Sequence, residues 1–122
     1  MILVDTSVWV EHLRHGDERL STLLEHELVL AHPHVIGELS MGQPRQRDAV
    51  SNLKDIPSAN VASDDEVLHF IEQETLFGSG IGYVDAHLLA ATRLTPGATF
   101  WTRDRRLLAA AEKLGLAARV FH

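Results

Sequence analysis

No cysteine occurs in the chain, so neither disulfides nor thiolate metal sites are open to it. No apolar run approaches the length of a membrane span, and the start lacks the basic region of a signal peptide, which makes the cytoplasm the expected location. Lysine is scarce: of the 11 basic residues, only Lys54 and Lys113 are not arginine. A formal net charge of −6 argues against a protein that coats nucleic acid with a basic surface. It leaves open an enzyme whose site gathers acids around a cation. Repeats, low-complexity segments and linkers are also missing. What remains is 122 residues, 45% hydrophobic and 23% charged, the composition of one globular domain over 1–122 that can bury a core unaided.

The chain is organised around Ile2-Leu3-Val4-Asp5-Thr6-Ser7-Val8-Trp9-Val10. Ile2 to Val4 suit a strand buried on both faces of a parallel sheet, and Asp5, Thr6 and Ser7 stand where it turns into a helix. That helix runs from Val8 to Leu13 and stops near Gly16. Asp17 caps a second, through about Glu27, with Leu20, Leu23 and Leu24 at helical spacing. Leu28 to Ala31 reads as a second strand. Pro33 opens a helix whose inward stripe is Val35, Ile36 and Leu39, with Glu38 at the edge of that face.

Arg45 to about Ile56 reads as a polar helix, and Val61-Ala62 as a very short third strand. Ser63 and Glu66 make a capping box for a helix with Val67, Leu68, Ile71, Thr75 and Leu76 inward, so Asp64, Asp65 and Glu66 are read as capping residues. Phe77 to Gly82 is glycine-rich, but without a G-K-[ST] ending or a strand before it this is a helix end, not a phosphate loop. Tyr83 to Leu94 is apolar nearly all round and belongs at the centre of the domain, which makes Asp85 an anion among apolar neighbours. Ala98 to Thr102 is a fourth strand with Arg103-Asp104 at its carboxyl end. Arg105 to Leu114 is a helix closed by Gly115, and Ala118 to Phe121 an edge strand. Strands alternating with helices predict an α/β domain with a mostly parallel, five-stranded sheet flanked by helices.

Asp5 and Asp104 each follow a strand and open a helix, at the carboxyl edge where α/β sheets bind ligands. If the first strand pairs with the second on one side and the fourth on the other, the crevice between them is the topological switch point. Glu38 and Asp85 come from helices that start at the same edge. Four converging carboxylates repel unless one protonates or a cation joins them, and oxygen ligands without cysteine select Mg²⁺ or Mn²⁺. Such a cation can orient water and clamp a phosphodiester. Thr6, Ser7 and Thr102 are placed to hold the acids or their waters. Arg93, Arg103, Arg105 and Arg106 flank the third and fourth acids, and Arg103 is the expected phosphate contact.

The D-T-S-V-W at Asp5, the internal Glu38, the G-x-x-D-A-H-L-L-A-A around Asp85 and the T-R-D-R-R-L at Asp104 resemble a PIN-domain ribonuclease, and more narrowly a VapC-type toxin of a type II toxin–antitoxin pair. The resemblance spans nearly the whole chain. It implies that Asp5, Glu38, Asp85 and Asp104 are catalytic, metal-binding acids and that Thr6 and Thr102 are supporting hydroxyls. It further implies RNA cleavage with Mg²⁺ or Mn²⁺, a homodimer, and silencing by a VapB-type antitoxin. The alternatives are a PIN-like nuclease in RNA processing outside such a pair, or a non-catalytic binding module. A receiver domain would want an acidic pair after the first strand and a late Lys, and a haloacid-dehalogenase-type phosphatase D-x-D where this chain has Asp5-Thr6-Ser7. The eight histidines include His32-Pro33-His34, and His12 with His15, but no H-E-x-x-H.

Overall fold

The computed structural model describes residues 1–120, apart from the side chain of Arg45. Strand β1 (Ile2–Val4) lies at the centre of a parallel sheet of order β2-β1-β3, with β2 at Val29–Leu30 and β3 at Thr99–Trp101. Its register sets Ile2 against both Val29 and Thr99, and Val4 against Trp101. Leu3, Val4 and Phe100 are wholly buried, as a strand covered on both faces by helices requires. Because β1 has its neighbours on opposite sides, the chain changes direction there, and the carboxyl ends of β1 and β3 lie together. The Asp5 amide donates to the Trp101 carbonyl at 2.9 Å, the last rung before the two chains part.

The helices are α1 (Thr6–His15), α2 (Glu18–Glu25), α3 (Pro33–Ser40), α4 (Arg47–Leu53), α5 (Asp64–Gln73), α6 (Tyr83–Leu94) and α7 (Arg105–Lys113), with one 3-10 turn at Pro44–Gln46. Local chemistry fixes their starts. The Asp17 carboxylate accepts from the Arg19 and Leu20 amides, and Ser63 and Glu66 exchange the two bonds of a capping box. α6 carries an unbroken buried run from Ala86 to Thr92 and is the core helix its composition predicts.

Three described strands replace the five expected. Val61 is 52% exposed, and the Asn60 amide and side chain bind Thr95 and Leu94 at the end of α6, which holds this segment off the sheet. The sheet edge is met instead by a single bridge, Ala31 to Ser58. On the other side, the expected strand from Ala118 is reduced to one bridge, Phe100 to Ala117; its Phe121 lies outside the described residues. α5 is also shorter than its apolar pattern suggests. It ends at Gln73, Thr75 takes φ of 54°, and Leu68 is 54% exposed rather than inward. Residues 45–56 likewise divide into the 3-10 turn and the seven-residue α4.

His32 is the largest polar side chain to be wholly buried, its Nδ1 accepting from the His34 amide at 3.0 Å. That bond puts the proton of the neutral ring on Nε2, which has no partner among the described residues. Burial, helped by His34 and His87, pushes the imidazole from 6.5 down to about 4. The folded state therefore holds this proton less tightly than the unfolded state, and unfolding takes it up in that window. Stability contributed by neutral His32 is present above pH 6.5 and is lost as pH falls toward about 4. Urea midpoints measured across this window are expected to fall, and to fall less steeply in His32→Gln; equal slopes would refute the assignment.

Candidate active site

Asp5 occupies the N-cap position of α1, yet its side chain makes no capping bond. The carboxylate, on a residue only 6% exposed, turns to hydroxyls instead. Ser7 Oγ donates to Oδ2 at 2.7 Å and Thr102 Oγ1 donates to the same oxygen at 2.8 Å. Each hydroxyl has one proton to give, so the 3.3 Å approach between them is a contact of two spent donors. Both accept in return: Ser7 from the Arg103 amide and Thr102 from the Asp104 amide, each at 3.0 Å. The carboxylate ending β1 and the backbone following β3 are thus fixed by the same two oxygens.

The other three acids are anchored by one oxygen each. Glu38 Oε1 accepts from Thr6 Oγ1 at 2.7 Å, so Thr6 positions Glu38 and not Asp5. Asp85 Oδ2 accepts from the Gly82 amide at 3.1 Å, half of a capping box at the start of α6. Asp104 Oδ1 caps α7, accepting from the Arg106 and Leu107 amides at 2.9 and 3.0 Å. The second oxygen of each of the four carboxylates has no donor among the described residues. Burial pushes the Asp85 carboxyl up from its ordinary value; Gly82 opposes this, and the charges of Asp5, Asp104 and Glu38 reinforce it. The three other acids thus act on Asp85 in the same direction, against its ionisation.

Among the described residues no three carboxylate or imidazole side chains are drawn together closely enough to cage a metal ion. The donor set nevertheless fits one kind of cation. Four untied carboxylate oxygens, with neither thiolate nor imidazole in the set, suit a hard ion that keeps several waters and takes only one or two carboxylates directly.

A family model of the PIN domain matches residues 2–113. The chain belongs to the PIN-domain family. It is 49% identical over 121 residues to Ribonuclease VapC32 of Mycobacterium tuberculosis, in both strain CDC 1551 / Oshkosh and strain H37Rv, covering 96% of this chain and 95% of the relative. That likeness sets it among the VapC-type members. FitAcB from Neisseria gonorrhoeae, at 22% identity, shares the fold with a TM-score of 0.60 over 92% of this chain and 94% of that one.

In this PIN domain the arginines near the acids have separate fates. Arg93 turns away, pairing with Glu74 at 2.8 Å and lying over the Phe70 ring. Arg103 is exposed beside the hydroxyl pair, its backbone bound and its guanidinium without an ion pair among the described residues. The Arg106 side chain packs on Gly80, where an added Cβ would come within 3.0 Å of the guanidinium. Sequence reasoning missed one set of contacts. Asp64, read only as a capping residue, accepts from Tyr83 Oη at 2.7 Å and meets His87 Nε2 at 3.0 Å. Ser7, expected to hold an acid, bonds Asp5 as tightly as Thr102 does.

Thr102 offers a direct test of this scaffold. In Thr102→Ala, Asp5 loses one of two donors and the Asp104 amide its acceptor, so activity is expected to fall about 10–100-fold. Thr102→Ser keeps both bonds and is expected to stay near wild type. Equal losses in the two variants, measured as initial cleavage rates, would show that the hydroxyl is not what matters.

Proposed function

We propose that the protein is a divalent-metal-dependent endoribonuclease that hydrolyses RNA phosphodiesters, and that it is the toxin of a pair silenced by a VapB-type antitoxin. The observation that carries this reading is the buried Asp5 carboxylate at the end of β1, one oxygen held by two hydroxyls and the other left open, beside Glu38, Asp85 and Asp104. The M. tuberculosis relatives are named as ribonucleases, which supports the reaction class. The VapC likeness also supports a homodimer.

In this reading Asp5, Glu38, Asp85 and Asp104 offer their untied oxygens to Mg²⁺ or Mn²⁺. Such an ion, when bound, supplies a Lewis acid for the phosphodiester and lowers the pKa of a bound water. The chain's own residues do the positioning. Ser7 and Thr102 keep Asp5 Oδ2 occupied, so that Oδ1 faces the site. Thr6 does the same for Glu38, and the Gly82 amide for Asp85. Arg103, exposed next to Thr102, is the group for the substrate phosphate.

Cleavage of a labelled total-RNA pool by the purified protein, with Mg²⁺, with Mn²⁺ and with a chelator, tests the proposal. Cutting that needs the cation and stops with the chelator is expected. Cutting that survives the chelator would remove the metal from the reaction, and absence of both cutting and cation binding would favour a binding module.

A further inference from the structure

One face of α7 leads away from the acids. Arg106, Ala109, Ala110 and Lys113 follow the i, i+3, i+4, i+7 spacing that places side chains in a row. Together with Thr75 and Ser79 of the preceding loop they line a cavity of about 310 Å³. The alanines leave its floor low, while a guanidinium and an ammonium stand toward its two ends, both exposed and neither in an ion pair among the described residues. The one carboxylate in its wall, Glu74, is already neutralised by Arg93 at 2.8 Å. In a chain of net charge −6, an unbalanced basic trough is a departure that needs a reason.

The trough begins next to Asp104. The Arg106 amide caps Asp104 at 2.9 Å while its side chain rests on Gly80, two residues before the Gly82 amide that holds Asp85. A single cationic side chain therefore stands between the supports of two of the four acids. The loop it touches is shaped for close approach: Gly78 and Gly80 take φ of 75° and 87°, and Phe77 presents a ring 60% exposed. A row of exposed cations is what the phosphate backbone of a nucleic acid binds.

We propose that this α7 face, from Arg106 to Lys113 against the loop of Thr75 and Ser79, is the track along which the phosphate backbone of the RNA leaves the cleavage site. The inference rests on the ribonuclease reading and adds to it the path of the substrate. Arg106 contacts a phosphate next to the scissile one, Lys113 one further along, and Ser79 contributes a hydroxyl between them. Recognition on this track is of backbone rather than base, so it sets affinity and register and not sequence.

The test uses Asp5→Asn protein, which is to bind RNA without cutting it, and a labelled single-stranded RNA of mixed sequence followed by anisotropy over a KCl series. Arg106→Gln and Lys113→Gln are each expected to weaken binding and to lower the slope of log affinity against log salt by about 0.7, the value for one lost contact on a single strand. Lys54→Gln, which removes the same charge after α4, is expected to leave the slope alone, and Arg106→Lys to restore most of it. In the cleaving protein, Arg106→Gln and Lys113→Gln should raise KM more than they lower kcat. Unchanged slopes for both trough variants, or an equal change for Lys54→Gln, would overturn the track while leaving the nuclease intact. If the wild-type protein neither cuts nor binds RNA, the ribonuclease reading itself fails and the track falls with it.

Discussion

Asp5→Asn is expected to lower RNA cleavage by on the order of a thousandfold or more, the equivalent of about 4 kcal/mol of lost transition-state stabilisation. The fold should survive, because asparagine can keep its carbonyl oxygen toward the protons of Ser7 and Thr102, the two bonds that now fix Asp5 at 2.7 and 2.8 Å. What changes is the other position. The open oxygen becomes an amide NH₂, a donor with no lone pair for a cation. Circular dichroism and thermal melting should therefore match wild type while cleavage disappears. A variant that unfolds would mean Asp5 is a packing residue, and one that cuts normally would remove it from the site.

Phe100→Ala attacks the scaffold instead of the chemistry. Phe100 is 0% exposed, sits in β3 against Leu3, and exchanges backbone bonds with Leu116 and Ala118 at 2.7 and 2.8 Å. Removing the ring leaves a cavity between the sheet and its helices, at a cost of about 3–5 kcal/mol. Against a total stability of about 5–15 kcal/mol for a domain, that is a large share of the margin. The melting temperature should drop by roughly 10–20 °C, with activity lost in step as the strand leading into Thr102 loosens. A loss of activity without a drop in melting temperature would give Phe100 a part in the site that its burial does not suggest.

The contrast between these two variants follows a division already present in the sequence. The apolar runs at Ile2 and Thr99, and the continuous apolar character of Tyr83 to Leu94, were enough to place the sheet's centre, its partner β3 and the core helix. Caps were legible for the same reason, since Asp17, Ser63 and Glu66 act within three residues of themselves. The outer strands were not. Val61 has strand-like neighbours, but whether it pairs depends on Asn60 being captured by Thr95 and Leu94, 35 and 34 residues away, and Ala118 keeps only its 2.8 Å bond to the Phe100 carbonyl.

The site divides the same way. Asp5, Asp85 and Asp104 stood out as candidates because each stands at a strand end or helix start, and Glu38 because it borders the apolar face of α3. Which hydroxyl serves which acid depended on contacts spanning 97 residues for Thr102 to Asp5 and 32 for Thr6 to Glu38. Asp5 shows the limit most clearly. From its neighbours it is an ordinary helix cap, and only the crossing of β3 beside β1 takes its carboxylate out of that role.

The central claim is that these four carboxylates hold a catalytic cation, and a Mn²⁺ titration of the purified protein, read by calorimetry, tests it most directly. The account predicts saturable binding in wild type that is lost or severely weakened in Asp5→Asn and in Asp85→Asn, with more protons released on binding as the pH is lowered, because Asp85 is the acid held above its ordinary value. Binding of equal strength in all three proteins would place the cation elsewhere and contradict the account.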